Sequence, residues 1–333
     1  MAPETPPDAS TLAAQAARLS VAPMIDWTDR HCRGFHRLLS RRALLYTEMI
    51  TAPAILHGDR ARLLDHDGAH PVALQIGGSD PAELAAATRI AGDWGYDEIN
   101  LNVGCPSDRV QSGCFGAVLM KTPALVGDCV AAMSAVSRAP VTVKCRIGVD
   151  DQNPAEVLPE FLETIAAAGV RRVIIHARKA WLHGLSPREN REIPPLDYPL
   201  VHEMKAAFPT LHLSINGGIG SLDAARTQLQ VMDGAMIGRA AYHEPWAILG
   251  TADTLWDDPP PLASPHEAAA LMRDRLAAHL AAGGRMHQIT RHMLGLFHGR
   301  PGARAWKRIL SERASAGTLA DYDAALAAVS GSQ

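Results

Sequence analysis

Two textures follow one another along the chain. Up to about residue 240, short apolar runs at 19–22, 44–49, 72–76, 98–103, 141–145, 173–176, 211–215 and 234–237 alternate with longer, Ala-rich stretches. Each run is too short and too continuously apolar for an amphipathic helix. Each predicts a strand buried on both faces of a parallel sheet. Between them, residues 81–91, 123–136, 154–168 and 222–229 carry helical spacing. Three of these open on a helix-start signal, Ser79-Asp80-Pro81, Thr122-Pro123 and Asn153-Pro154. Proline there has a backbone angle already suited to the first turn. Eight strand–helix alternations predict an α/β fold, a (β/α)8 TIM barrel.

Beyond Trp256 the pattern changes. Asp257-Asp258-Pro259-Pro260-Pro261 reads as a linker, and residues 262–330 carry helical spacing with no strand candidate. The expected organisation is a disordered, Pro- and Ala-rich lead-in over residues 1–18, a barrel over 19–256 and a small all-helical C-terminal domain over 262–330. Composition changes this little: 47% hydrophobic and 20% charged residues are ordinary for a globular protein. No apolar run nears the roughly 18 residues of a membrane helix, and the first residues lack the basic-then-apolar order of a secretory signal. Five cysteines without CxxC spacing argue against a disulfide framework and against a zinc site. No metal is expected, and a reducing cytoplasm fits best.

Charge does change the picture. The net charge of -3 speaks, taken alone, against a nucleic-acid partner. Yet between residues 261 and 316 nine Lys and Arg stand against three acids, giving +6. Such asymmetry suggests a docking face for a polyanion, although a charge run is more often only a solvated helical surface.

A barrel of this class places function at the C-terminal ends of its strands. The special residues fall there: Pro23, Met24 and Ile25; Glu48; Gln75 to Gly78; Asn102 to Cys105; Lys144 and Arg146; His176 to Arg178; Asn216 to Gly218; Gly238 and Arg239. Loops after the seventh and eighth strands commonly seat a phosphate on backbone N–H groups. Asn216, Gly217, Gly218, Gly238 and Arg239 are the candidates, glycine permitting close approach and Arg239 a charge-assisted bond. A sugar phosphate or FMN would satisfy that seat. The remaining residues favour FMN. Gln75 can donate to and accept from its amide-rich ring. Lys144 can neutralise the N1 side, His176 can bond ring or ribityl oxygens, and Pro23, Met24 and Ile25 form an apolar shelf.

Asn100-Leu101-Asn102-Val103-Gly104-Cys105-Pro106-Ser107 follows the fourth strand. With this loop the chain resembles the tRNA-dihydrouridine synthases, whose hallmark is Asn-x-Gly-Cys-Pro in a flavin barrel. The A-type bacterial branch is matched further by Val21-Ala22-Pro23-Met24-Ile25-Asp26-Trp27-Thr28-Asp29, Asp108-Arg109-Val110-Gln111-Ser112-Gly113 and Val143-Lys144-Cys145-Arg146-Ile147-Gly148. It is matched again by His176-Ala177-Arg178-Lys179-Ala180-Trp181-Leu182, Asn190-Arg191-Glu192-Ile193-Pro194-Pro195-Leu196 and Gly302-Ala303-Arg304-Ala305-Trp306. The likeness runs from about residue 19 to about residue 312. It implies bound FMN, NADPH as reductant, hydride transfer to C6 of a tRNA uracil, and protonation of C5 by Cys105. It further implies that Asn102 contacts the target base, that Arg178, Arg188, Arg191, Arg304 and Lys307 hold tRNA, and that D-loop uridines at positions 20 and 20a are the targets. A monomer would suffice for such docking.

The residues agree with that chemistry. Saturating a carbon–carbon double bond needs a hydride and a proton, and an ordinary thiol is still protonated at neutral pH. Cys32, Cys129 and Cys145 read instead as small buried hydrophobes. Three other readings fit parts of the chain. A dehydrogenase of a free pyrimidine or dihydroorotate-type molecule shares the FMN seat but has no use for the basic tail. An RNA-binding protein explains the tail but leaves Gln75, Lys144, His176 and Cys105 without a task. A sugar-phosphate isomerase would need a carboxylate base, for which Glu48 is the candidate.

Overall fold

The structure, a computed structural model, describes residues 15–107, 113–313 and 316–330. Most of the lead-in, residues 1–14, and the motif residues 108–112 with Arg109 lie outside the described residues. Strands β1 (Leu19–Val21), β2 (Leu44–Thr51), β3 (Val72–Gly77), β4 (Glu98–Val103), β5 (Val141–Arg146), β6 (Arg172–His176), β7 (His212–Asn216) and β8 (Gly234–Ile237) form a closed barrel in chain order. All pairings are parallel, β1 closing on β8. The expected α/β barrel is the observed one, with strand ends shifted by one or two residues.

Helices α1 (Arg30–Leu39), α2 (Ala52–His57), α3 (Arg60–Leu64), α4 (Pro81–Gly92), α5 (Pro123–Ser134), α6 (Pro154–Ala167), α7 (Tyr198–Ala207) and α8 (Leu222–Gln228) link the strands. After β8 come α9 (Arg239–His243) and α10 (Pro245–Leu249). The start signals act as read at all three places, each helix beginning at its proline, and two of the three also carry a side-chain cap. Asp80 accepts from Ala82 and Glu83 N–H, and Asn153 accepts from Ala155 N–H. Thr122 makes no cap; its hydroxyl turns back to the Leu119 carbonyl at 3.4 Å. The lead-in also needs correcting: Ala16 and Ala17 are buried in the core and the Gln15 carbonyl accepts from Trp256 Nε1 at 3.0 Å, so order begins before residue 19.

Every position of β3 and β4 is buried. Strand alternation explains how β4 can still be half polar. Ile99, Leu101 and Val103 join the main apolar cluster, while Glu98, Asn100 and Asn102 occupy the other face, inside the barrel. There Glu98 pairs with Arg172 and accepts from Tyr46 Oη at 2.5 Å. A buried charge persists only when paired and hydrogen-bonded, and this one is both.

The C-terminal residues fold as α11 (Pro265–Ala281), α12 (His287–Thr290), α13 (Ala303–Glu312) and α14 (Leu319–Ser330). They gather around Trp306, whose Nε1 donates to the Met293 carbonyl at 3.0 Å and whose ring meets Phe297 and Tyr322 edge-on at 5.0 and 5.5 Å. One apolar cluster runs from the barrel through Trp306 to Val329, so these helices pack on the barrel directly. A polar joint reinforces the seam. Asp29, which caps α1 by accepting from Cys32 N–H, also accepts from Arg291 at 2.6 Å and from buried His292 at 3.1 Å. Burial alone would raise the Asp29 carboxyl, but His292, the Cys32 N–H and Arg291 outweigh it and hold the group well below the usual range.

Candidate active site

At the C-terminal mouth of the barrel lies a cavity of about 550 Å³, a size that holds small ligands and cofactors. The strand ends bring the expected residues to its wall. Pro23, Met24 and Ile25 come from the β1 end, Gln75 from β3, Asn102 and Cys105 from the β4 end and Lys144 from β5. His176 comes from β6, and Asn216, Gly217, Gly218, Gly238 and Arg239 from the ends of β7 and β8. Of the residues expected to hold tRNA, Asn102 and Arg191 reach the cavity.

The cavity is cationic. Lys144, Arg146, Arg191 and Arg239 line it, and among the described residues no carboxylate does. Burial first, and Arg146 second, pull the Lys144 ammonium down to about 8. Burial, reinforced by Arg146, Lys144, Arg178 and Arg191, pushes His176 well below its ordinary value, so it is a neutral imidazole at neutral pH. Lys144, Arg146 and Arg191 each lie close enough to Cys105 for their charges to interact with it. Such a constellation awaits an anion.

In the wall made by the β7 and β8 ends, glycines leave part of the backbone bare. Gly217 has φ +109 and a side chain there would meet the His176 ring at 2.7 Å; Gly218 has φ +70 and a side chain would meet Leu196 at 2.5 Å. Both positions require glycine, and the bare backbone they leave fits the phosphate of a flavin mononucleotide. The rest of the lining fits such a cofactor too: amide groups from Gln75 and Asn102, an ammonium from Lys144 and an apolar shelf. Ile25 is 54% exposed at the rim of that shelf.

The Cys105 loop is fixed from below. Asn102 Oδ1 accepts from the N–H groups of Gly104 and Cys105, each at 3.0 Å. Arg146 Nε donates to the Gly104 carbonyl at 3.0 Å, while its Nη1 holds the Lys179 and Asn190 carbonyls at 3.1 and 2.9 Å. The Cys105 thiol approaches Ser107 Oγ at 3.5 Å. Cys32, Cys129 and Cys145 are buried, and burial raises the thiols of Cys129 and Cys145 to about 11 and about 12.

Other candidates do work outside the cavity. Arg178 donates to the carbonyls of Glu192 and Pro194, bracing its own loop. Arg188 is exposed with Glu192 3.7 Å away, and Glu192 also pairs with Arg239 at 2.5 Å. Asn216 reaches the cavity, but its Nδ2 donates across to the Met236 carbonyl at 2.8 Å, stitching β7 to β8. Arg304 and Lys307 are exposed on α13 and make no ion pair with a described residue. Burial first, then Arg239 and Lys307, lower the His243 imidazole on α9, next to the mouth. Glu48 does not line the cavity; its carboxylate accepts from Asp26 N–H and holds the loop after β1, which deprives the isomerase reading of its base. Arg146, expected at the mouth without a role, acts as the loop clamp above. One residue was missed: Trp27 lines the cavity and stacks on Tyr242 with centroids 4.4 Å apart, joining the β1 loop to α9. Its only signal was position inside a matched motif.

Fold and site together define a barrel whose mouth carries a thiol, a cationic wall and a stretch of backbone that glycines leave bare. The family model for dihydrouridine synthase (Dus) matches residues 20–329. The chain belongs to the dihydrouridine synthase family, and so to the oxidoreductases. It is 56% identical over 295 residues to the tRNA-dihydrouridine(20/20a) synthase of Shewanella oneidensis, covering 89% of this chain and 88% of that one. It is 56% identical over 300 residues to the enzyme of the same name from Escherichia coli strain K12, covering 90% and 87%. Among solved structures, the old yellow enzyme homologue from Zymomonas mobilis aligns with a TM-score of 0.51 at 10% identity, covering 73% of this chain and 89% of that one, a likeness of fold alone. Among the described residues no helix is long and apolar enough to cross a membrane.

Proposed function

We propose that this chain reduces the C5–C6 double bond of D-loop uridines at positions 20 and 20a of tRNA, with FMN bound in the mouth and NADPH as reductant, in the cytoplasm. The observation that carries the reading is that Cys105 shares one cavity with Lys144, Arg146 and Arg191 and with the glycines of the β7 and β8 ends. The names of the relatives support the substrate and its positions. Bound FMN supplies the hydride for C6. Lys144 and Arg239 neutralise the anionic cofactor, neutral His176 and Gln75 bond its polar atoms, and Pro23, Met24 and Ile25 support its ring. Cys105 gives its thiol proton to C5, and the thiolate left behind is held in the field of Lys144, Arg146 and Arg191. Asn102 presents an amide to the base, which must be turned out of its stack to enter the cavity. Arg188, Arg191, Arg304 and Lys307 contact the tRNA backbone, with Arg178 bracing the loop that carries two of them.

The test is to incubate the protein with FMN, NADPH and tRNA lacking dihydrouridine, then locate modified nucleosides by mass spectrometry. Addition of two hydrogens at positions 20 and 20a is the expected result. Reduction of a free pyrimidine with no change in tRNA would replace this reading by the small-molecule dehydrogenase.

A further inference from the structure

Below the cavity, inside the barrel, runs a single file of hydrogen bonds. It starts at the Gly104 and Cys105 N–H groups, which donate to Asn102 Oδ1. Asn102 Nδ2 donates to Gln75 Oε1 at 2.8 Å, Gln75 Nε2 to Asn100 Oδ1 at 2.8 Å, and Asn100 Nδ2 to Thr142 Oγ1 at 2.8 Å. The Thr142 hydroxyl donates to Glu98 Oε1 at 2.7 Å. Register makes the file possible, since Asn100 sits between Gln75 on β3 and Thr142 on β5.

The file has one direction, and both ends demand it. Backbone N–H groups can only donate, so Asn102 must turn its carbonyl oxygen to them. A carboxylate can only accept, so Thr142 must turn its hydroxyl hydrogen to Glu98. Each amide between them is then fixed, because reversing any one would set oxygen against oxygen or N–H against N–H. Gln75 and Asn102 each keep a second N–H outside the file, and both residues line the cavity. The cavity therefore meets donors at these places, which suits the carbonyl oxygens of a flavin or uracil ring.

We infer that Glu98 and Thr142 are positioning residues: the carboxylate at the barrel floor, relayed by the Thr142 hydroxyl, sets which way the Gln75 and Asn102 amides face and so seats the Cys105 loop. Arg172 and the Tyr46 hydroxyl hold the carboxylate in place. The inference rests on the reading of the cavity as the flavin and uridine site.

Thr142→Val tests it. The substitution keeps the side chain's shape and leaves Glu98 with Arg172 and Tyr46, but breaks the file and leaves Asn100 Nδ2 without its acceptor. Thr142→Ser keeps the relay. Hydrogen–deuterium exchange at the Gly104 and Cys105 amides is measured first, followed by anaerobic reduction of the flavoprotein by NADPH and its reoxidation by tRNA. Thr142→Val should exchange these amides about tenfold faster and reoxidise about tenfold more slowly, with reduction by NADPH near that of the parent and a melting temperature lower by about a few degrees, as for one buried donor left unmade. Thr142→Ser should behave as the parent does. Parent-like exchange and reoxidation in Thr142→Val, or equal impairment in both variants, would overturn the inference. A parent protein that takes up no FMN would overturn the proposed function instead, while the exchange comparison would still decide the file.

Discussion

The barrel mouth and the C-terminal helices are both rich in cations, but they treat them differently. At the mouth, Lys144, Arg146 and Arg191 line one cavity with Cys105, and among the described residues no carboxylate lines it. In the C-terminal helices most of the positive charge is already answered: Arg273 pairs with Asp323 at 2.6 Å, Arg291 with Asp29 at 2.6 Å, Arg308 with Glu312 at 3.2 Å, Arg313 with Asp321 at 3.6 Å and Arg275 with Asp67. Counting charges along the chain cannot separate the two cases. Pairing helps: Lys144, Arg146 and Arg191 face the cavity with no ion pair to a described residue, whereas most of the C-terminal cations are spent on seams of the fold; Arg239 stands between the two, lining the cavity while pairing with Glu192.

The largest effect should come from the thiol that shares the cavity with the mouth cations. Cys105→Ala should leave flavin binding and reduction by NADPH intact but slow uridine reduction by about 10²–10⁴-fold, the range of a lost general acid; stopped-flow reoxidation by tRNA measures it. Next comes Lys144. In the flavin-free protein its ammonium is lost as pH rises through about 8, so FMN affinity should fall above that pH. Lys144→Met should weaken binding roughly ten- to hundredfold, as for a lost bond to a charged group, and should flatten the pH dependence; flavin-fluorescence titration checks both. A smaller change is expected from Arg304→Ala with Lys307→Ala. The slope of log affinity for tRNA against log salt should drop by about one per phosphate contact removed. Arg273→Ala, removing a cation already paired, should leave that slope unchanged. A drop equal to that of the Arg304 and Lys307 pair would abolish the distinction between free and paired charge.

Much of this was legible in the sequence, for identifiable reasons. Strands covered on both sides read as apolar runs, and the special residues at their ends mark the mouth in the sequence itself. All eleven residues expected to hold the cofactor line one cavity. What escaped was anything decided between distant segments. Glu98, Asn100 and Asn102 are consecutive inward positions of β4, but their partners Arg172, Thr142 and Gln75 are neighbours only through barrel register. Glu48 stands at a strand end like a catalytic base, and only the folded loop shows its carboxylate spent on Asp26 N–H. The Pro-rich stretch after Trp256 reads as a linker to a separate unit, yet the burial of Trp306 and Tyr322 in the same apolar cluster as the barrel is a property of packing.

The central claim is most directly tested by the visible spectrum of the purified protein under anaerobic conditions, first with NADPH and then with tRNA lacking dihydrouridine. Flavin bands that bleach with NADPH and return on adding that tRNA are the predicted result. Bands that return only with a free pyrimidine, or a protein that shows no flavin bands even when FMN is supplied, would contradict it.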